Sequence, residues 1–270
     1  IPQQTSGEMK WNREERATNW QKLCKANTEP ETTVPVFQME IVHGREIKDA
    51  TYAYVVDCKG EFPQKIPAIL ANNTHLQAAE IIEVTHEELS RASLLKTPQE
   101  VLAVFEQPHY EFDANVTEQS LCLALDDVQD PGNLGTIIRL ADWFGIEHII
   151  CSQNTVDVYN PKTIQATMGG IARVKVHYTS LPDFIRSLGD TPVFGTFLDG
   201  KNMYEQPLST NGLIVMGNEG NGIGKEVATL INRKLYIPNY PAGQETSESL
   251  NVAIATAVIC AEFRRQAAWK

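Results

Sequence analysis

Leu213-Ile-Val-Met-Gly-Asn-Glu-Gly-Asn-Gly-Ile-Gly224 is a four-residue apolar run that ends in a loop with glycine at 217, 220, 222 and 224. An apolar run of that length, bounded by glycine, reads as a buried strand, and the glycines allow a backbone to approach a ligand closely. Neither the G-x-G-x-x-G fingerprint nor the Walker spacing is present, although a glycine-rich loop before a helix usually cradles phosphate. Glu219 sits inside the loop. A carboxylate within a nest of amides repels pyrophosphate, so an uncharged or cationic ligand fits better than a dinucleotide. The plainer alternative is a tight loop that binds nothing.

Outward from this stretch, apolar strands alternate with helical patterns. Strands are expected at Leu121–Leu125, 147–151, 173–177, 193–197, 213–216 and 234–237, and helices at 134–144, 160–168, 180–188, 225–231 and 249–265. That alternation predicts a parallel α/β sheet covered on both faces. Upstream, residues 34–41, 51–56, 81–84 and 101–105 have strand character, Pro67 to Leu70 begins another element, and Thr85 with Glu88 forms a capping box. This half reads as a smaller α/β domain. Residues 1–33 are polar and allow a surface helix over 12–25. Gln107 to Gln119 lacks either period, so the predicted organisation is residues 1–110, a linker at 111–119 and a second domain at 120–270.

Composition narrows the class. The chain is 42% apolar and 21% charged, and no apolar run approaches the roughly 18 residues a spanning helix needs. Ile1 to Glu8 show neither a basic n-region nor an apolar h-region, so no export signal is expected, and the missing initiator Met suggests a trimmed or processed chain. The five cysteines (24, 58, 122, 151 and 260) include no C-x-x-C and no histidine in ligand spacing. Neither a disulfide framework nor a metal site is expected, and a reducing, cytoplasmic setting fits. The net charge is −11; residues 121–270 hold 15 acids against 12 bases, and residues 1–120 hold 19 against 11. A diffuse basic surface is excluded, so any RNA must be gripped by local patches.

Two further stretches carry candidate chemistry. In Asp126-Asp-Val-Gln-Asp-Pro-Gly-Asn133-Leu-Gly135-Thr-Ile-Ile-Arg139, residues Leu134, Ile137, Ile138 and Ala141 form one helical face. Arg139 lies off that face and should lean over Gly135, whose missing side chain leaves room for the guanidinium and a ligand. The competing reading is a surface pair of Arg139 with Asp142, with Asn133 a simple helix cap. In Ile237-Pro238 through Glu248-Ser249-Leu250-Asn251-Val252, a stripe of Leu250, Ile254, Val258 with Ile259 and Phe263, together with Val252, Ala255 and Ala257, predicts a deeply packed helix. Ser249 and Asn251 are either partners of a site or ordinary capping residues.

Asn133-x-Gly135-x-x-x-Arg139, Gly217-Asn-Glu219-Gly-x-Gly222 and Ile237-Pro238 leading into Glu248-Ser249-Leu250-Asn251-Val252 resemble, in order and separation, the three motifs of the SpoU (TrmH-like) RNA 2′-O-ribose methyltransferases. Thr167 to Gly170 and Arg173-Val174 are similar to that family's intermediate segment. The resemblance spans roughly residues 121–265. It implies the SPOUT fold, in which a parallel sheet carries a deep C-terminal trefoil knot, and a homodimer with its site at the subunit interface. Residues 66–106 are similar to the ribosomal-protein-like RNA-binding domain that precedes the catalytic domain in many members, and residues 1–65 match it less well. The resemblance further implies S-adenosylmethionine as cofactor, held around Met216, Gly217, Gly222, Ile237 and Leu250, and catalytic roles for Arg139, Asn133, Glu219, Ser249 and Asn251. Arg139 is the family's proposed base. A guanidinium gives up its proton only above about pH 12, so Arg139 either takes the proton as the alkoxide forms or stays charged and stabilises the oxyanion. The implied substrate is RNA, ribosomal more than transfer, by analogy with the preceding domain. The alternatives are a transfer RNA methyltransferase, or an RNA-binding module that keeps the fold without the chemistry.

Overall fold

The computed structural model describes Val36–Glu40, Tyr52–Cys58, Gln77–Val84, the single residues Glu87, Ser90, Ser93 and Thr97, and the chain from Val101 to Ala268 apart from residues 242–243 and 245–248. The surface helix expected over 12–25, the element from Pro67, the Thr85–Glu88 capping box and Glu248 lie outside the described residues. The chain divides into two compact units, Ile1–His109 and Tyr110–Lys270.

In the first unit four strands form one mixed sheet: β1 (Val36–Glu40), β2 (Tyr52–Cys58), β3 (Gln77–Val84) and β4 (Val101–Glu106), in the order β1-β4-β2-β3. β4 runs antiparallel to both of its neighbours, and β2 is parallel to β3. All four strands expected from the sequence are present.

The second unit is a six-stranded sheet, with every neighbouring pair parallel. Its strands are β5 (Leu121–Leu125), β6 (His148–Cys151), β7 (Lys175–Tyr178), β8 (Val193–Asn202), β9 (Gly212–Met216) and β10 (Arg233–Tyr236), ordered β10-β8-β9-β5-β6-β7. β5 and β9 are buried along their whole length because neighbours pair on both sides and helices cover the faces. The helices are α1 (Val116–Gln119), α2 (Pro131–Trp143), α3 (Pro161–Thr167), α4 (Leu181–Ser187), α5 (Lys225–Leu230) and α6 (Val252–Ala268). Among the described residues no helix is long and apolar enough to cross a membrane.

The strand order reverses between β5 and β9. Chain progress runs from β5 through β6 to β7 on one side, then returns to place β8 and β9 on the other. Leu125 pairs with Met216 at the C-terminal ends of these two strands, so the loops after both emerge at one edge. A ligand crevice in an open parallel sheet forms at such a reversal.

Three local readings are corrected. α2 starts at Pro131, earlier than expected, because Asp130 caps it by accepting from the Asn133 amide at 2.8 Å and proline stands in the first turn. Gly135 is buried, and a Cβ there would lie 2.4 Å from the Thr163 carbonyl oxygen and 2.5 Å from the Ala166 Cβ. Its missing side chain lets α3 pack on α2 and makes no room for a ligand. The Leu250 to Phe263 stripe also fails at its start, since Leu250 and Ile254 are 50% and 55% exposed while Val252, Ala253, Ile259, Cys260 and Phe263 are buried. The end of α2 is held by α6: Arg264 donates from Nε to the Phe144 carbonyl at 2.7 Å and from Nη2 to the Gly145 carbonyl at 2.9 Å.

Away from that edge, the ring of Phe112 packs at a tilt against a histidine pair on β6 and β7. Nδ1 of His148 and Nε2 of His177 are 3.1 Å apart, the rings are nearly parallel, and both side chains are buried. Burial holds both below the ordinary imidazole range, His177 at about 4 with His148 and Lys175 adding to the effect.

Gly135→Ala should force α2 and α3 apart and cost about 1–3 kcal/mol, read as a lower urea midpoint. His177 contributes stability that is present above its unfolded value of about 6.5 and is lost as pH falls toward its folded value of about 4. The unfolding free energy should therefore drop across that window, and His177→Gln should flatten the drop.

Candidate active site

The loops after β5 and β9 are tied together from both strand ends. The Asp126 amide donates to the Met216 carbonyl at 2.9 Å, and Oδ2 of Asp126 accepts from the Gly224 amide at 2.7 Å. Burial raises the Asp126 carboxyl above the usual carboxylate range, the Gly224 amide opposes this, and neighbouring Asp127 adds to it. Asp127 takes a left-handed φ of 59° and exchanges hydrogen bonds with Ser152, accepting from its hydroxyl at 2.6 Å.

Asn218 organises the glycine loop. Its Oδ1 accepts from the amides of Gly220 at 2.8 Å and Asn221 at 3.0 Å, and its Nδ2 donates to the Asp127 carbonyl at 2.7 Å. Its backbone exchanges a pair of 2.9 Å hydrogen bonds with Gly222, which turns the chain at a φ of +68°. A Cβ on Gly217 would lie 2.2 Å from the Gly222 carbonyl carbon. Gly217 thus permits the loop to fold on itself, a correction to its reading as room for a ligand. The amides of residues 218, 220, 221, 222 and 224 are all engaged within the protein. These five amides are therefore not open to an anion.

With Asp130 as the cap, Asn133 has its side chain available to reach across. Its Nδ2 donates to Oε1 of Glu219 at 2.9 Å, and its Oδ1 accepts from Nδ2 of Asn251 at 3.0 Å. Asn251 in turn caps α6, accepting on Oδ1 from the amides of Ala253 at 3.0 Å and Ile254 at 3.3 Å. One carboxamide therefore joins residues 86 and 118 positions apart in the chain. Asn251 does both things the sequence offered as alternatives, and Asn133 is not a simple cap.

Arg139 lies on α2 about 9 Å further along the axis than Asn133, at 1.5 Å per residue. It is exposed and makes no ion pair or hydrogen bond with the described residues. The surface pair with Asp142 is absent because Asp142 is held by Arg173, through Nε at 2.8 Å and Nη2 at 2.7 Å. Ser249 is exposed and is not joined to the Asn133 network. Of the residues named for cofactor binding, Met216 is buried at the end of β9, Gly217 and Ile237 are partly buried, and Gly222 and Leu250 are exposed. Among the described residues no three His, Cys, Asp or Glu side chains gather to hold a metal. The thiols of Cys122 and Cys260 are buried and raised by that burial to about 11 and about 12, which suits neither for nucleophilic work.

Sequence reasoning missed Asp130, Asn218 and Asp126. Asp-Pro before a helical run is a start signal that was available for the first, and Asn followed two residues later by Gly marks the local side-chain turn of the second. The hydrogen bond of Asp126 to Gly224 spans 98 residues and has no local signature.

Asn218→Ala should leave the folded core intact and release the Gly220 and Asn221 amides. Hydrogen exchange at those two amides should accelerate by at least about tenfold, while β5 and β9 keep their protection.

Residues 120–261 match the SpoU rRNA Methylase family model. The chain is 29% identical to the 23S rRNA (guanosine(2553)-2′-O)-methyltransferase RlmP of Bacillus subtilis, over 93% of this chain and 96% of that protein. It is similar in structure to the SpoU methyltransferase AviRb from Streptomyces viridochromogenes in complex with AdoMet, at a TM-score of 0.76 and 25% identity, covering 93% of this chain and 97% of that one. A TrmH-family RNA methyltransferase structure from Porphyromonas gingivalis is 37% identical, with a TM-score of 0.68 over 86% of this chain and 90% of that one. With all three motifs present and two of them joined to the third through Asn133, the chain belongs to the SpoU RNA methylase family.

Proposed function

We propose that this protein methylates a ribose 2′-hydroxyl in ribosomal RNA, using S-adenosylmethionine. The observation that carries this reading is the carboxamide of Asn133, bonded to Glu219 and Asn251 on the helix that presents Arg139. RlmP supports 23S ribosomal RNA as the substrate class, and AviRb supports the cofactor.

The residues fit that cofactor. It carries a cationic sulfonium and no phosphate, and the glycine loop has spent five of its amides internally, those of residues 218, 220, 221, 222 and 224, while keeping an exposed carboxylate on Glu219. Backbone at Met216, Gly217, Gly222, Ile237 and Leu250 would hold it, the half-exposed Leu250 supplying apolar surface. When bound, it supplies an electrophilic methyl group. Asn133, Ser249 and Asn251 orient the ribose, since an in-line displacement tolerates little misalignment. Arg139 acts here as the fixed cation of the site. It stabilises the negative charge developing on the 2′-oxygen and engages a flanking phosphate. The hydroxyl proton then goes to Glu219, the exposed carboxylate of the set.

Four further elements of the reading rest on the family. The segment from β10 into α6 threads a trefoil knot. The protein is a homodimer, a reading supported by large apolar side chains left exposed on α2, α6 and the turn after α3, namely Trp143 at 84%, Ile254 at 55% and Met168 at 44%. The unit ending at His109 is the RNA-binding domain. A cytoplasmic site of action agrees with the free, buried thiols of Cys122, Cys151 and Cys260.

Unmodified 23S ribosomal RNA incubated with the protein and S-adenosylmethionine should yield one 2′-O-methylated nucleoside by mass spectrometry. Arg139→Ala should lower turnover by at least about a hundredfold, as removal of an oxyanion-stabilising donor does, with cofactor affinity kept. Arg139→Lys, which retains charge, should recover part of that loss. Near wild-type turnover in Arg139→Ala would remove Arg139 from the chemistry, and product from transfer RNA alone would redirect the substrate.

A further inference from the structure

Arg139 and Asp142 stand three residues apart on α2, the spacing at which a guanidinium and a carboxylate pair across one helical turn. They do not pair. Both oxygens of Asp142 are occupied by Arg173, with Nε 2.8 Å from Oδ1 and Nη2 2.7 Å from Oδ2. Arg173 follows the 3-10 turn Gly170–Ala172, which lies directly against α2. A Cβ on Gly170 would stand 3.5 Å from the Arg139 Cα and 3.6 Å from the Asp142 Cβ. The fork thus arrives from a neighbouring segment that is seated on the same turn of helix as Arg139. The two side chains are partly buried, at 36% exposed for Arg173 and 27% for Asp142. Two parallel charge-assisted hydrogen bonds of this kind are stronger and more directional than a single-point contact.

We propose that Arg173 is a positioning residue for the methyl transfer: its two-point hold on Asp142 keeps that carboxylate away from Arg139 and from the incoming RNA phosphate. The proposal rests on the reading of Arg139 as the cation at the reacting ribose. Without Arg173, an unneutralised carboxylate stands one turn from Arg139. It draws the guanidinium back along α2, and it adds negative charge where a polyanion must dock. Arg173 touches neither substrate nor cofactor in this role. Its effect passes through Asp142, so removing Asp142 as well removes the need for it.

The test is steady-state methylation of 23S ribosomal RNA by the full chain carrying Arg173→Gln, Arg173→Lys, Asp142→Asn, the double change Asp142→Asn with Arg173→Gln, and Arg139→Ala. Arg173→Gln should lower kcat/KM for RNA about tenfold, and less at higher salt, because screening weakens the exposed carboxylate. S-adenosylmethionine affinity should not move. Arg173→Lys, with its charge kept but its fork lost, should fall between wild type and Arg173→Gln, and it serves as the readout if Arg173→Gln does not fold. Asp142→Asn alone should stay within about twofold of wild type, and the double variant should return to within about threefold, since neither retains the carboxylate. A double variant no better than Arg173→Gln, or an Asp142→Asn variant as impaired as Arg173→Gln, overturns the proposal, because Arg173 would then act by holding the turn or by touching RNA. Arg139→Ala separates the two readings. If it remains active the role of Arg139 fails, whereas an inactive Arg139→Ala alongside an unrescued double variant overturns the Arg173 proposal alone.

Discussion

A single carboxamide holds this site together. Asn133 donates to Glu219 and accepts from Asn251, and through those two hydrogen bonds the start of α2, the loop after β9 and the start of α6 become one object. An amide suits this place because it offers a donor and an acceptor at once, one to a carboxylate and one to another amide. Aspartate would offer only acceptors, one of them facing Glu219. The rest of the second unit sets up this contact. Asp130 takes over the capping of α2 and frees Asn133, Asn218 folds the glycine loop so that Glu219 projects, and Asn251 is fixed by capping α6.

Charge is distributed around that clamp with few basic residues. The chain is acidic overall at −11, so attraction to RNA comes from local cations and not from a general field. Arg139 is such a cation, exposed on α2 about 1.7 turns beyond Asn133. What keeps it available is a second arginine used for a different purpose: Arg173 occupies the nearest carboxylate on the same helix. The glycine loop is equally economical. The amides of Asn218, Gly220, Asn221, Gly222 and Gly224 are taken up within the protein, and the loop's exposed charge is negative, suited to a cationic methyl donor.

The sheet was legible in the sequence because it depends on local signals. Four of the six strands of the second unit begin as or consist of short apolar runs, and all six were placed, although β8 runs on to Asn202, five residues past its expected end. The motif residues were legible too, since Asn133, Glu219 and Asn251 stand out against their neighbours. What was not legible is what depends on contacts distant in sequence. Gly135 looked like space for a ligand, yet that space is filled by α3, which arrives some thirty residues later. Leu250 and Ile254 had the right spacing for a buried stripe, and only the tertiary arrangement decides that Val252 and Ala253 face inward instead. The hold of Arg173 on Asp142 spans 31 residues and carries no pattern at all.

The most direct test of the clamp is Asn133→Asp, which keeps the shape and removes the donor. Cofactor affinity and methyl transfer would be measured together, by calorimetry with S-adenosylmethionine and by nucleoside mass spectrometry of treated 23S ribosomal RNA. The clamp as described requires cofactor binding within a few-fold of wild type and a loss of product of at least about a hundredfold, because Glu219 is left facing a like charge and the ribose loses its orienting groups. Methylation at the wild-type rate in Asn133→Asp would contradict it.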